Sequence, residues 1–158
     1  MRAIVYGGAG FLGSSLNYAL VDKGITPFIF DNFSTGHRIF LNQNLNVIEG
    51  DILNLKDLEE SFDKINPNLV IHLAAIHHIP TAESNPMETL KVNLNGTCNI
   101  LNVLEKKKFK GKFGFASTGG IYKDLGEESL NELSEIKPLG IYTLTKYYCE
   151  EIINYYIE

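Results

Sequence analysis

Five short apolar runs alternate with stretches of helical periodicity, and no other feature restricts the possible folds as much. Ala3-Ile4-Val5-Tyr6, Pro27-Phe28-Ile29-Phe30, Asn46-Val47-Ile48-Glu49, Leu69-Val70-Ile71-His72-Leu73 and Lys112-Phe113-Gly114-Phe115-Ala116 are too short for helices. Their bounding turn residues predict buried strands. Between them, residues 11–23 place Phe11, Leu12, Leu16, Ala19 and Leu20 at helical spacing, with Gly24 where a helix C-terminus favours glycine. Residues 55–65 read as a helix capped by Asn54. Residues 87–107 read as a long helix despite the turn-like Asn95-Gly96, because Leu90, Leu94, Ile100, Leu101 and Leu104 carry one apolar face through it. A last amphipathic helix runs from Ile141 to the end of the chain. Strands alternating with helices imply parallel pairing, right-handed crossovers and an α/β doubly wound sheet. In such a sheet a ligand crevice lies at the C-terminal strand ends.

Composition narrows the function classes. The 158 residues are 44% hydrophobic, enough for one domain with its own core. No apolar run approaches the roughly 18 residues of a membrane span, and no basic-then-apolar leader stands at the start, so no membrane partner is expected. A net charge of −5 argues against a nucleic-acid surface. The basic run Lys106-Lys107-Lys108 is read as a solvated helix end. Cys98 and Cys149 lack metal or redox spacing, which suits two thiols in a reducing cytoplasm.

The first strand ends in Gly7-Gly8-Ala9-Gly10-Phe11-Leu12-Gly13. Glycines at 7, 10 and 13 can form a tight turn, admit a pyrophosphate close to the backbone, and pack the next helix on the sheet. The N–H groups and positive dipole end of that helix attract the anion without a lysine, and the Gly-Lys-Ser/Thr pattern of a triphosphatase is absent. Asp31 closes the second strand, where a carboxylate accepts from ribose hydroxyls and repels a 2′-phosphate. NAD is therefore the expected cofactor, and NADP, which Arg38 could serve, the lesser one.

The glycine spacing and six later motifs, in order, resemble the extended short-chain dehydrogenase/reductase family, the branch of UDP-glucose 4-epimerase and the sugar-nucleotide dehydratases. They are Asp31-Asn32-Phe33-Ser34-Thr35-Gly36, Gly50-Asp51-Ile52, His72-Leu73-Ala74-Ala75, Asn93-Leu94-Asn95-Gly96-Thr97, Ser117-Thr118-Gly119-Gly120-Ile121-Tyr122 and Tyr142-Thr143-Leu144-Thr145-Lys146. The resemblance implies a Rossmann-type sheet binding NAD through Gly7, Gly10, Phe11, Leu12, Gly13, Asp31, Asn32, Ser34, Thr35, Gly36, Asp51 and Ile52. Further cofactor contacts fall to Leu73, Ala74, Ala75, His77, Asn93, Tyr142 and Lys146. Asn93 would orient the lysine and cofactor. The catalytic residues it implies are Thr118, with Ser117 as runner-up, Tyr142 and Lys146. Tyr6, where relatives often carry Thr, is a harmless departure. Lys123 replaces a glycine, so the loop after Tyr122 is expected to differ. Family members are about twice this length. Residues 1–158 are thus expected to be one NAD-binding domain, truncated after the Tyr-x-x-x-Lys helix and lacking the C-terminal substrate domain, as a fragment or a naturally short relative.

A tyrosine with a pKa of about 10 needs roughly three units of depression, about 4 kcal/mol, to act as a base near neutrality. Lys146, one turn along the helix, and an oxidised nicotinamide would supply the cations. Thr118 can bind the same substrate oxygen. The expected activity is 4-epimerisation of a nucleotide sugar, most simply a UDP-sugar, with transient hydride transfer to NAD. Gly119-Gly120 stand where a dehydratase carries Asp-Glu. A non-catalytic NAD-binding module, and an NAD(P)-dependent reductase or dehydratase of another substrate, remain open. His77 and His78 have no third ligand at metal spacing, so no metal is expected and they are read as a polar loop. The resemblance also implies a homodimer, through helices near 87–107 and 142–157, with Tyr147, Tyr148, Tyr155 and Tyr156 read as helix-packing and partner-facing aromatics.

Overall fold

The computed structural model describes residues 1–124, 126 and 129–157. The chain falls into two compact units: Met1–Ala75 with Asn99–Ala116, and Ile76–Cys98 with Ser117–Glu158.

The first unit holds β1 (Arg2–Tyr6), α1 (Phe11–Asp22), β2 (Thr26–Asp31), β3 (Asn46–Glu49), α2 (Leu55–Ile65), β4 (Leu69–His72) and β5 (Lys112–Phe115). The strands form one parallel sheet in the order β3-β2-β1-β4-β5, in register at Ile4↔Phe28, Ile4↔Val70, Phe30↔Ile48 and His72↔Phe115. Ala3, Ile4, Val5 and Tyr6 are fully buried, as expected for a central parallel strand covered on both faces. Tyr6 lies edge-on to Phe30, with ring centroids 5.1 Å apart. This is the doubly wound α/β sheet expected from the alternation.

The α1 face departs from that expectation. Phe11, Leu12 and Ala19 are exposed, and the buried positions are Gly13, Ser14, Asn17 and Leu20. Leu16 and Leu20 do pack against Ala3 and Val5. The helix lies so close to the β1 turn that small and polar residues fit there better than bulky ones. Asn17 Nδ2 donates to Gly8 O at 2.9 Å, and Ser14 Oγ donates to Phe11 O at 3.0 Å. Gly24 adopts φ +71 just past the helix end. Asn54 Oδ1 accepts from Lys56 N–H at 3.0 Å, so the foreseen cap on α2 is made.

The second unit holds α3 (Ile79–Ser84), α4 (Pro86–Leu90), a π-helical turn (Lys91–Asn95) and, beyond α5 (Gly96–Lys106), the last helix α6 (Ile141–Ile157). Helix α5 continues directly from the π-turn. The stretch is helical through Asn95-Gly96, where Gly96 has φ −59 and ψ −45. Widening to a π-turn, with no reversal of the chain, absorbs the weak dipeptide. Helix α3 follows His77 and His78 at once, where the sequence suggests only loop.

Candidate functional site

In the first unit the site begins at the β1–α1 turn. Gly7 sits at φ +80, and a Cβ there would lie 2.5 Å from Ala74 N. A Cβ on Gly13 would lie 2.5 Å from Gly7 O. Both positions exclude any side chain, because the Leu73-Ala74 backbone and the start of α1 abut the turn. Ala75 completes the half-buried strand end. Gly10 differs: a Cβ there meets only Gly7 O, at 3.4 Å. Gly10 is also the N-cap of α1 and offers no capping side chain, so the first-turn N–H groups at Phe11, Leu12 and Gly13 face an uncapped helix end.

Asp31, 8% exposed, anchors the neighbouring loop. Its Oδ2 accepts from Ala9 N–H at 2.9 Å and its Oδ1 from Phe33 N–H at 2.8 Å. A carboxylate has about four lone-pair directions, so two remain for incoming hydroxyls. Asn32 Nδ2 donates to Asp51 Oδ2 at 3.0 Å, while its Oδ1 accepts from Ser34 N–H at 3.0 Å. Ser34 and Thr35 are exposed and Gly36 is buried. A Cβ on Gly36 would come within 2.9 Å of Asp31 Oδ1. Asp51 Oδ1 in turn holds Leu53 N–H at 2.8 Å. Ile52 is buried, and its carbonyl accepts from Asn99 Nδ2 at 3.0 Å. The cradle with no room for side chains, the uncapped helix end and the half-used carboxylate fit a dinucleotide.

In the second unit, α6 carries Tyr142 and, one turn on, Lys146. Glu83 Oε1 accepts from Ile141 N–H at 2.7 Å, so α3 caps the helix that bears the pair. Gly140, at φ +84, would place a Cβ 2.4 Å from the same oxygen. Thr118 Oγ1 accepts from Gly120 N–H at 3.2 Å, and the Thr118 hydroxyl acts on the Tyr142 phenol strongly enough to lower its pKa. Ser117 Oγ instead donates to the Glu150 carboxylate. Of the two hydroxyls, Thr118 is the one set against the tyrosine.

Burial pushes the Tyr142 phenol above its ordinary value, and the Thr118 hydrogen bond pulls it part of the way back. Lys146 is 3% exposed, and burial lowers its ammonium from 10.5 to about 8, partly offset by Cys149. The lysine stays mainly cationic at neutral pH, close to the point of losing its proton.

Asn93 is 2% exposed and fully engaged. Its Oδ1 accepts from Ile76 N–H at 2.8 Å, and its Nδ2 donates to Ile76 O at 3.1 Å and Thr145 Oγ1 at 3.0 Å. Its carbonyl accepts from Thr97 Oγ1 at 2.6 Å and Cys149 Sγ at 3.3 Å. Its link to Lys146 thus runs through residues on either side of the lysine in α6. His77 is exposed, and His78 Nδ1 lies 2.9 Å from Thr81 Oγ1. Among the described residues no His, Cys, Asp and Glu cluster could hold a metal. Lys123, at the position where the sequence replaces glycine, pairs with Glu135 at 2.7 Å.

Glu83 and Thr145 carry no sequence signal of their roles. Glu83 meets its partner across 58 residues, a separation no local pattern reveals.

The model of the NAD dependent epimerase/dehydratase family matches residues 3–158. A UDP-glucose 4-epimerase of Rhizobium leguminosarum bv. trifolii is 33% identical over 97% of this chain and 46% of its own length. The Thermus thermophilus UDP-glucose 4-epimerase in complex with NAD superposes with a TM-score of 0.94 at 31% identity, covering 99% of this chain and 50% of that one. The Thermotoga maritima UDP-glucose 4-epimerase with UDP-glucose gives 0.89 at 31% identity, covering 99% and 51%. The chain spans about half the length of the relatives it matches. With its sheet order, glycine turn and Tyr-x-x-x-Lys helix, the chain belongs to the NAD dependent epimerase/dehydratase family.

Proposed function

We propose that the protein is an NAD-dependent sugar-nucleotide 4-epimerase acting on a UDP-sugar, with Tyr142 as the proton-transferring group. The observation that carries the reading is Tyr142 and a buried Lys146 one turn apart on the same helix, with the Thr118 hydroxyl acting on the phenol. The NAD and UDP-glucose of the two solved relatives support the choice of cofactor and substrate class.

The α1 first-turn N–H groups bind the pyrophosphate, and the free lone pairs of Asp31 take the adenosine ribose hydroxyls. NAD, when bound, supplies reversible hydride acceptance from the sugar carbon. The remaining work is proton handling. Tyr142 at rest keeps its proton, since burial raises its phenol. Lys146 and the positive charge that arrives with the oxidised cofactor favour the phenolate. Thr118 Oγ1, already accepting from Gly120 N–H, has its own proton to donate to the phenolate or to the sugar oxygen. The sugar hydroxyl gives its proton to Tyr142 Oη and recovers it from the same atom on return. Gly119-Gly120, in a 3-10 turn, put no acid directly after Thr118 for water elimination, which favours epimerisation over dehydration.

We assign the protein to the cytoplasm, where the free thiols of Cys98 and Cys149 persist. No helix among the described residues is long and apolar enough to cross a membrane. Its assembly is read as a homodimer, supported by Tyr148, Tyr155 and Tyr156 exposed along α6. Sedimentation should give twice the chain mass, and a monomer would contradict this.

The activity is tested by supplying UDP-galactose and NAD and following UDP-glucose by NMR. Tyr142→Phe is expected to lower turnover by about a hundredfold or more while NAD binding persists. Full turnover in that variant, or no conversion of any UDP-sugar by an NAD-bound protein, contradicts the reading.

A further inference from the structure

The end of β3 carries a second carboxylate beside Asp31. Glu49 and Asp31 are register partners in the parallel sheet, so two acids end neighbouring strands. Arg38 stands beside Glu49, and the structure shows how it is held. Arg38 makes a salt bridge to Glu49, and its guanidinium carbon lies 4.0 Å from the Phe33 ring centroid. Phe33 is fixed in turn. Its N–H donates to Asp31 Oδ1, and it adopts φ +57, a left-handed conformation rare for a bulky residue. The backbone leading to Arg38 is anchored as well, since His37 N–H donates to Ala9 O at 3.1 Å.

From these contacts we infer that Glu49 is a specificity-determining residue, which excludes NADP by keeping the Arg38 guanidinium away from the place where a 2′-phosphate would sit. The inference rests on the reading that Asp31 faces the adenosine ribose. An arginine in this neighbourhood ordinarily welcomes a 2′-phosphate, because its planar fork matches phosphate oxygens. Here the fork is engaged by a carboxylate and its face by an aromatic ring. Both groups are largely exposed, with side chains 59% and 66% accessible, so the salt bridge alone is weak. Stacking on Phe33 adds a second hold on the same group. Neutralising Glu49 frees the fork for a phosphate.

The test measures NAD and NADP dissociation constants by calorimetry for the wild type, Glu49→Gln, Arg38→Ala and the double variant. Glu49→Gln is expected to tighten NADP about tenfold and leave NAD within about twofold, because only NADP carries the phosphate that the freed guanidinium can bind. Arg38→Ala alone is expected to leave weak NADP binding unchanged, and the double variant to lose the gain. An unaltered NADP affinity in Glu49→Gln overturns the inference. So does a gain that persists in the double variant, since charge removal would then explain it without Arg38. A wild type that binds NAD while Glu49→Gln changes nothing leaves the cofactor reading standing. A wild type that binds neither dinucleotide overturns both. Glu49 is exposed on a strand end and away from the core, so its substitution leaves folding intact.

Discussion

Three glycines that look alike in the sequence do different work. At Gly13 an added methyl would overlap Gly7 O, and at Gly7 it would overlap Ala74 N while also straining a φ of +80. Gly7→Ala and Gly13→Ala should each lower stability by about 2–4 kcal/mol in urea unfolding, the cost of overpacking and backbone strain. Unchanged midpoints would show that the turn can relax. At Gly10 an added methyl would touch only Gly7 O, at 3.4 Å, so the fold has room for alanine there and the glycine is free to be needed by a ligand. Spacing identifies all three glycines as a group. It cannot separate them, because the difference lies in what abuts each one across the sheet. Asp31 is legible from its place at a strand end. That Arg38 spends its charge on Glu49 is not, since the two meet through a loop whose course depends on the unusual backbone at Phe33.

The π-turn and α6 hold the second unit together through Asn93. Removing its side chain in Asn93→Ala strands Ile76 N–H and Ile76 O and loses Thr145. A cost of about 3 kcal/mol is expected, with faster amide exchange at Ile76. Exchange at Ile76 no faster than in the wild type would mean that another group replaces the amide. On α2, Asn54→Ala should cost about 1 kcal/mol, the ordinary value of a lost N-cap, and no loss would deny the cap a role. The existence of each strand and of the long helices is readable because each element keeps its own period. The α1 face is not, because its buried side uses Gly13, Ser14 and Asn17, which no count of apolar residues registers. Helix α3 is hidden for lack of a side-chain cap at His78.

For the molecule as a whole, pH should reveal the burial of Lys146. Its folded value of about 8 lies below the 10.5 of an exposed lysine, so the unfolded chain binds the proton more readily. Between pH 8 and 10.5 this group therefore makes stability rise with pH, and below pH 8 its penalty is constant at about 3 kcal/mol. Lys146→Met should be the more stable protein at pH 7, with the gap narrowing as pH is raised through that interval. A gap that does not change with pH would place the lysine in water. The central claim is that the Gly7–Gly13 turn exists to hold a dinucleotide, and Gly10 isolates it from folding. Calorimetric titration of NAD into wild type and Gly10→Ala is the most direct test. The expected result is one NAD per wild-type chain and much weaker binding by Gly10→Ala at a nearly unchanged melting temperature. Equal NAD affinity in the two proteins would contradict the claim.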